Sequence, residues 1–216
     1  GGSLELVSIA DNDCREASSL RLGTLRLPAL RAEGPEAFES AVHEQLASVG
    51  WAAAHTGPMY MVGGTWRALA AYAMRYIDFP LTDPHGFSLL PDDARRLAKE
   101  LVAADPEKLI DISGISPMRA NYLPDAAALL CPLLDEIGPD ELVFSSWGLR
   151  EGLLYSRLEP GQMQAGTQSA RQPCDRMAAG QALDRFGCKG PRNDLRRAVR
   201  QHGPHRIARK AARARQ

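Results

Sequence analysis

Pro58-Met59-Tyr60-Met61-Val62-Gly63-Gly64-Thr65 decides how the rest of the chain is read. The short apolar run suits a buried strand. The Gly pair ends it, and a helix follows with Leu69, Ala73 and Tyr76 on one side. Thr65 stands where a cap is expected. A strand that turns into a helix N-terminus presents unpaired N–H groups and a partial positive charge. It serves either as a phosphate cradle or simply as a close-packed turn.

Upstream of that junction, residues 3–9 (Ser-Leu-Glu-Leu-Val-Ser-Ile) alternate in strand fashion, and Asp11-Asn12-Asp13 reads as a turn. A second strand is expected from about Cys14 to Arg21, completing an antiparallel hairpin. Gly34-Pro35 opens a helix through about Val49, with Phe38, Val42 and Leu46 every four residues. Downstream, residues 78–90 read as loop, and Pro91-Asp92-Asp93 starts a helix with Pro first and acids in the first turn. Ser116-Pro117 starts another, which Pro124 and Pro132 are expected to kink or interrupt. Residues 141–145 form a short strand and residues 148–158 a final helix. This order predicts an α/β fold, a mixed sheet covered by helices, with a first strand missing from the front.

The chain has 216 residues, 44% of them hydrophobic and 24% charged, which suits a globular protein and excludes collagen and coiled coil. No stretch approaches the roughly 18 apolar residues that cross a bilayer. Cys14, Cys131, Cys174 and Cys188 stand far apart, with no C-x-x-C and no His at metal spacing, so thiols in a reducing cytoplasm are expected. The formal net charge of +0 hides a split. Residues 1–159 carry 13 Lys+Arg against 23 Asp+Glu, and residues 160–216 carry 13 against 3. So abrupt a change marks a boundary near Pro160-Gly161 and separates a domain over residues 1–158 from a basic tail over 159–216. The tail has few large apolar residues and reads as disordered or unrelated to the domain. It is either the product of a reading-frame change in a GC-rich gene or a basic arm able to attract polyphosphate or nucleic acid.

Gly1-Gly2-Ser3-x-Glu5 is the second stretch with chemistry in it. Glycines let backbone N–H groups approach an anion without Cβ obstruction, and Ser3 adds a hydroxyl donor. Glu5 shares a sheet face with Ser3 and can hold a water or a metal ion beside the same anion. The plainer alternative is a hairpin turn with an exposed Glu. Arg119 and Arg150 are the remaining anion candidates, Arg150 standing near Ser145-Ser146 at a strand end. A surface ion pair is the plainer role for either Arg. His85 reads as a loop-ordering residue, and G-x-x-x-x-G-K-[ST] is absent.

Six stretches in register are similar to the exopolyphosphatase / guanosine-pentaphosphate phosphatase (Ppx/GppA) family. They are residues 1–7 (Gly-Gly-Ser-Leu-Glu-Leu-Val), residues 19–27 (Ser-Leu-Arg-Leu-Gly-Thr-Leu-Arg-Leu), Val62-Gly63-Gly64-Thr65, His85-Gly86-Phe87, Ile115-Ser116-Pro117-x-Arg119 and Ser145-Ser146-x-Gly148-Leu149-Arg150-Glu151-Gly152. The resemblance implies the second of two ribonuclease-H-like lobes of the actin-like and sugar-kinase-like superfamily. It implies that Gly1, Gly2 and Ser3 are the tail of a phosphate loop of full form Asp-x-Gly-Gly-Gly-Ser-x-Glu, closed by Glu5. Glu5 then acts in catalysis by placing Mg²⁺ or the attacking water, and Gly63, Gly64 and Thr65 face the polyphosphate or guanosine end.

The implied reaction is hydrolysis of a terminal phosphoanhydride with release of orthophosphate. The implied partner is inorganic polyphosphate or guanosine pentaphosphate rather than nucleic acid or a membrane, and a homodimer is compatible with it. The family's first lobe, with the residue usually assigned as general base, is not in this sequence. The sequence is therefore read as beginning inside a longer gene product, and the 216-residue chain is expected to be inactive alone. The competing readings are a nucleic-acid-binding module that uses the basic tail and a sugar or acetate kinase relative, against which the Leu-Arg-Glu-Gly and Ser-Leu-Arg-Leu-Gly runs argue.

Overall fold

Alternate residues of β1 (Leu4–Ala10) divide between core and solvent in the computed structural model of the chain, which describes residues 1–11 and 13–157. Leu4, Leu6 and Ser8 turn inward by half, while Glu5, Val7 and Ile9 are exposed. β1 pairs antiparallel with β2 (Asp13–Leu20), setting Glu5 opposite Ser19 and Val7 opposite Ala17. The register shifts between Ser8 and Ile9, and Asp11 turns the hairpin at a φ of 55°.

The chain then wraps the hairpin's inner face with α1 (Leu27–Ala32) and α2 (Pro35–Ala47), whose Leu27, Phe38, Val42 and Leu46 are buried. A single 3-10 turn at Ala52–Ala54 leads into β3 (Pro58–Val62), and α3 (Gly64–Tyr76) follows at once. Next come β4 (Ser88–Leu89), α4 (Pro91–Val102), α5 (Pro106–Ile110), α6 (Pro117–Ile137) and β5 (Glu141–Ser145). β5 lies between a parallel β3 and an antiparallel β4, with Val62 opposite Ser145. The strands thus fall into a two-stranded hairpin and a separate three-stranded mixed sheet, where the sequence suggested one sheet.

Two hydrophobic clusters share α6. Ala120, Leu123, Ala127, Leu130 and Leu134 face the cluster built on α3, α4, Leu142 and Phe144. Leu129, Leu133 and Ile137 face the cluster built on Leu20, Leu22, α1 and α2. Met59 and Trp66 pack against both. This double burial explains why Pro124 and Pro132 do not interrupt α6, contrary to expectation. A proline inside a helix costs about 3 kcal/mol, whereas each fully buried Leu returns about 1.5–3 kcal/mol. The helix ends at Gly138, left-handed at a φ of 63°. Arg31 on α1 also pairs with Asp125 on α6 at 2.6 Å.

β4 lies where the sequence read as loop, and α1 and α5 fall in stretches to which the sequence reading assigns no element. The last described helix, α7 (Leu149–Tyr155), is shorter than expected and stands outside the unit formed by Gly1–Gly148. The basic tail over 159–216 lies outside the described residues. No described helix is long and apolar enough to cross a membrane.

Candidate functional site

The Gly1-Gly2-Ser3 segment is held by the loop that follows β2. The Leu25 N–H donates to the Gly1 carbonyl at 3.2 Å, and Arg26 Nε donates to the Gly2 carbonyl at 2.8 Å. Gly23 makes the approach possible, because a Cβ there would stand 2.2 Å from Ser3 N and 2.3 Å from Gly1 O. With its carbonyls occupied in this way, the segment's shape is set by backbone contacts and needs no buried side chain.

Glu5 stands beside it on the exposed face of the hairpin. Ser19 Oγ, directly across the ladder, donates to Glu5 Oε1 at 2.8 Å. Hydrogen bonds from Ser3 first and Ser19 second hold the Glu5 carboxyl below its usual range, so it is ionised at neutral pH. The expected sharing of one face by Ser3 and Glu5 is therefore present, with Ser19 as a third member. Ser19, Gly23 and Arg26 lie in one of the quoted stretches, but their spacing alone carried no role for them.

The second group is built on the three-stranded sheet. Gly63 caps α3 at a φ of 126°, a backbone value that glycine adopts without the strain an L side chain would bring. No side chain caps this helix, and Thr65 lies inside its first turn, so the expected Thr65 cap is corrected. Its first N–H groups therefore point outward without side-chain acceptors. The half-buried Arg119, from the first turn of α6, lies against this helix start at Gly64. A Cβ on Gly64 would stand 2.7 Å from Arg119 Nη2, so the bare Gly64 is what admits the guanidinium. Arg119 forms no ion pair among the described residues. A cation at a helix N-terminus opposes the helix dipole, and an anion placed between them relieves the opposition.

The parallel pairing of β3 and β5 brings the exit of β5 to the same edge. Arg67, in the first turn of α3, donates from Nη1 to the Ser146 carbonyl at 2.6 Å. The Ser146 hydroxyl donates to Asp83, and the Ser146 N–H donates to His85 Nδ1 at 3.3 Å. The His85 ring stacks on Trp147 with centroids 5.2 Å apart and planes 19° apart. The Asp83 carboxyl is held below its usual range by the Ser146 hydroxyl first, then by the His85 backbone N–H. His85 thus ties its loop to the strand end, and Arg67, Asp83 and Ser146 join it without any motif having singled them out.

Arg150 belongs to α7, is 88% exposed in its side chain and lies 4.0 Å from Glu151. Among the described residues no three His, Cys, Asp or Glu side chains gather as a metal cluster. Burial pushes the Cys131 thiol up, away from reactivity.

The chain matches the model of the Ppx/GppA phosphatase family over residues 1–160. No curated protein matches it. Among solved structures, the type II variant of the Aquifex aeolicus Ppx/GppA phosphatase is 25% identical, with a TM-score of 0.59 over 74% of this chain and 55% of that one. A second structure of the Aquifex aeolicus PPX-GPPA enzyme is 26% identical, with a TM-score of 0.58 over 73% of this chain and 54% of that one. An exopolyphosphatase from Cytophaga hutchinsonii shares the fold at 22% identity, with a TM-score of 0.62 over 72% of this chain and 54% of that one. The chain spans about 55% of the length of the first of these relatives.

Proposed function

Because the chain belongs to the Ppx/GppA phosphatase family, and so to the actin-like fold, we propose that it forms one lobe of a phosphoanhydride hydrolase. The enzyme removes the terminal phosphate of inorganic polyphosphate, or the 5′-γ-phosphate of guanosine pentaphosphate, and releases orthophosphate. The observation that carries this reading is the Arg119 guanidinium over the uncapped N-terminus of α3 at Gly64, two positive features converging where the strands end. Gly63, Gly64 and Thr65 hold one part of the phosphate chain there, and Gly1, Gly2 and Ser3 offer backbone and hydroxyl donors to another. Arg150 is a further candidate anion contact by residue type.

Phosphoryl transfer rests on positioning and on neutralising charge that spreads over the phosphoryl oxygens. Glu5 is the catalytic residue of this lobe. Its ionised carboxylate, flanked by the Ser3 and Ser19 hydroxyls, orients the attacking water or an ion's hydration shell. A single exposed carboxylate suits Mg²⁺, which keeps several waters and binds through one or two carboxylates plus substrate phosphates. Bound there, the ion supplies charge neutralisation.

Phosphate release from long-chain polyphosphate and from guanosine pentaphosphate, with Mg²⁺ present, tests the reading. In the whole enzyme, Glu5→Gln is expected to lower kcat about 10²-fold or more. An unchanged kcat removes Glu5 from catalysis. The 216-residue chain alone is expected to release no phosphate, since the residue usually assigned as general base belongs to the other lobe. Turnover by this chain overturns that part of the proposal.

A further inference from the structure

Trp147 is 50% exposed, yet its backbone is hydrogen-bonded and its ring is stacked. Its backbone N–H donates to Ser145 Oγ at 3.1 Å, while Ser145 Oγ donates back to the Trp147 carbonyl at 3.2 Å, which fixes the backbone that carries the ring. One face of its indole lies on the His85 ring. His85 is fixed in turn by the Ser146 N–H at Nδ1 and by its own N–H on Asp83 Oδ1 at 3.0 Å. Stacked on the imidazole and half-exposed, the indole leaves ring surface open to solvent.

The location adds meaning. Ser145 is the register partner of Val62, and adjacent strands lie about 4.8 Å apart. Trp147 therefore leaves the sheet beside Gly63-Gly64, and Arg67 Nη1 on Ser146 O locks the two exits together. A flat apolar surface beside a phosphate-sized positive site is the arrangement that a base joined to a phosphate chain requires. Inorganic polyphosphate has no group for it.

We propose that the Trp147–His85 stack is a platform for the base of a purine nucleotide whose phosphates lie at Gly63-Gly64, and that Trp147 sets a preference for nucleotide over inorganic polyphosphate. This rests on the phosphate-site reading of Gly63, Gly64 and Arg119. It assigns Trp147, which that reading leaves unused, to substrate choice.

Calorimetric titration of the 216-residue chain with inorganic tripolyphosphate, GTP and ATP separates the two ideas. The purine nucleotides are expected to bind about 5- to 150-fold more tightly than tripolyphosphate, the worth of stacking one base. Trp147→Ala is expected to erase that margin without changing tripolyphosphate affinity, and Trp147→Phe to keep most of it. If tripolyphosphate binds but the nucleotides bind no better, or if Trp147→Ala leaves the margin intact, the platform is overturned and the phosphate site stands. If nucleotides bind through Trp147 and tripolyphosphate does not bind, the platform stands and the phosphate reading falls. If none of the three binds, both fall.

Discussion

The hairpin and the three-stranded sheet present their polar groups on opposite structural principles. The sheet is anchored by a continuous apolar cluster in which Ala68, Leu69, Ala73, Leu101, Leu142 and Phe144 are all buried. Its functional candidates emerge at strand ends from a rigid base. The hairpin buries only Leu20 fully, leaves Val7 and Ile9 exposed, and fixes Gly1-Gly2-Ser3 through backbone carbonyls and the bare Gly23. One region is positioned by volume and the other by hydrogen bonds and the absence of a side chain. The two regions are therefore sensitive to different kinds of substitution.

The largest expected effect tests the volume side. Phe144 is 1% exposed and lies 5.9 Å from Phe87, centroid to centroid. Phe144→Ala is expected to destabilise the chain by about 3–5 kcal/mol in denaturant unfolding. Ile9→Ala on the open face of the hairpin is expected to stay within about 0.5 kcal/mol. Similar losses from the two substitutions would erase the contrast.

Gly23→Ala comes next and tests the other side. The added Cβ meets backbone atoms of Gly1, Gly2 and Ser3, none of which can rotate away like a side chain. A loss of about 1–3 kcal/mol is expected, as for overpacking elsewhere, together with release of the segment from Arg26. Unfolding curves superimposable on those of the parent would show that the segment is not held there.

Gly64→Ala has a smaller effect of a different kind. Here the added Cβ meets the end of the Arg119 side chain, which can move. Stability is expected to hold or to rise slightly, because alanine favours a helix by about 0.5–1 kcal/mol over glycine. Affinity for inorganic tripolyphosphate is expected to fall about 2- to 5-fold as the guanidinium leaves the helix end. Unchanged affinity in calorimetry would separate Arg119 from anion binding.

Local pattern was enough to find most of the large elements. The period of Phe38, Val42 and Leu46 and the alternation in residues 3–9 survive in α2 and β1 because one face of each is buried. Leu27–Ala32 and Pro106–Ile110 are too short to show a period, and Ser88–Leu89 is a strand only because β5 passes alongside. The prolines of α6 misled because their cost is local while the burial that offsets it comes from two separate clusters. At the candidate site, Ser3, Glu5, Gly63 and Gly64 could be picked out by residue type and spacing. Gly23, Arg67, Asp83 and Ser146 act through partners 20 to more than 60 residues away, which no local pattern encodes.

The smallest expected effect concerns pH, and it touches both regions with the same sign. Glu5 and Asp83 each have a carboxyl held below its ordinary value by hydroxyl donors, Glu5 by Ser3 and Ser19, Asp83 by Ser146. A carboxyl whose folded pKa lies below its unfolded one stabilises the fold above the unfolded value. It gives up that contribution as pH falls through the folded value. For Asp83 the loss therefore begins below about pH 4, where the unfolded group titrates. Asp83 also anchors the His85 loop to Ser146, so its protonation loosens the stack on Trp147 at the rim of the sheet. Asp83→Asn is expected to flatten the decline of melting temperature between pH 5 and pH 3 by a small amount, and to leave the curve above pH 6 parallel to that of the parent. Glu5→Gln is expected to do the same, with a weaker effect because its carboxylate lies open to water. Curves that stay parallel down to pH 3 for Asp83→Asn would mean that the Ser146 hydroxyl does not favour the ionised carboxylate, and the anchoring of the strand end would then rest on Arg67 and on the Ser146 N–H bond to His85.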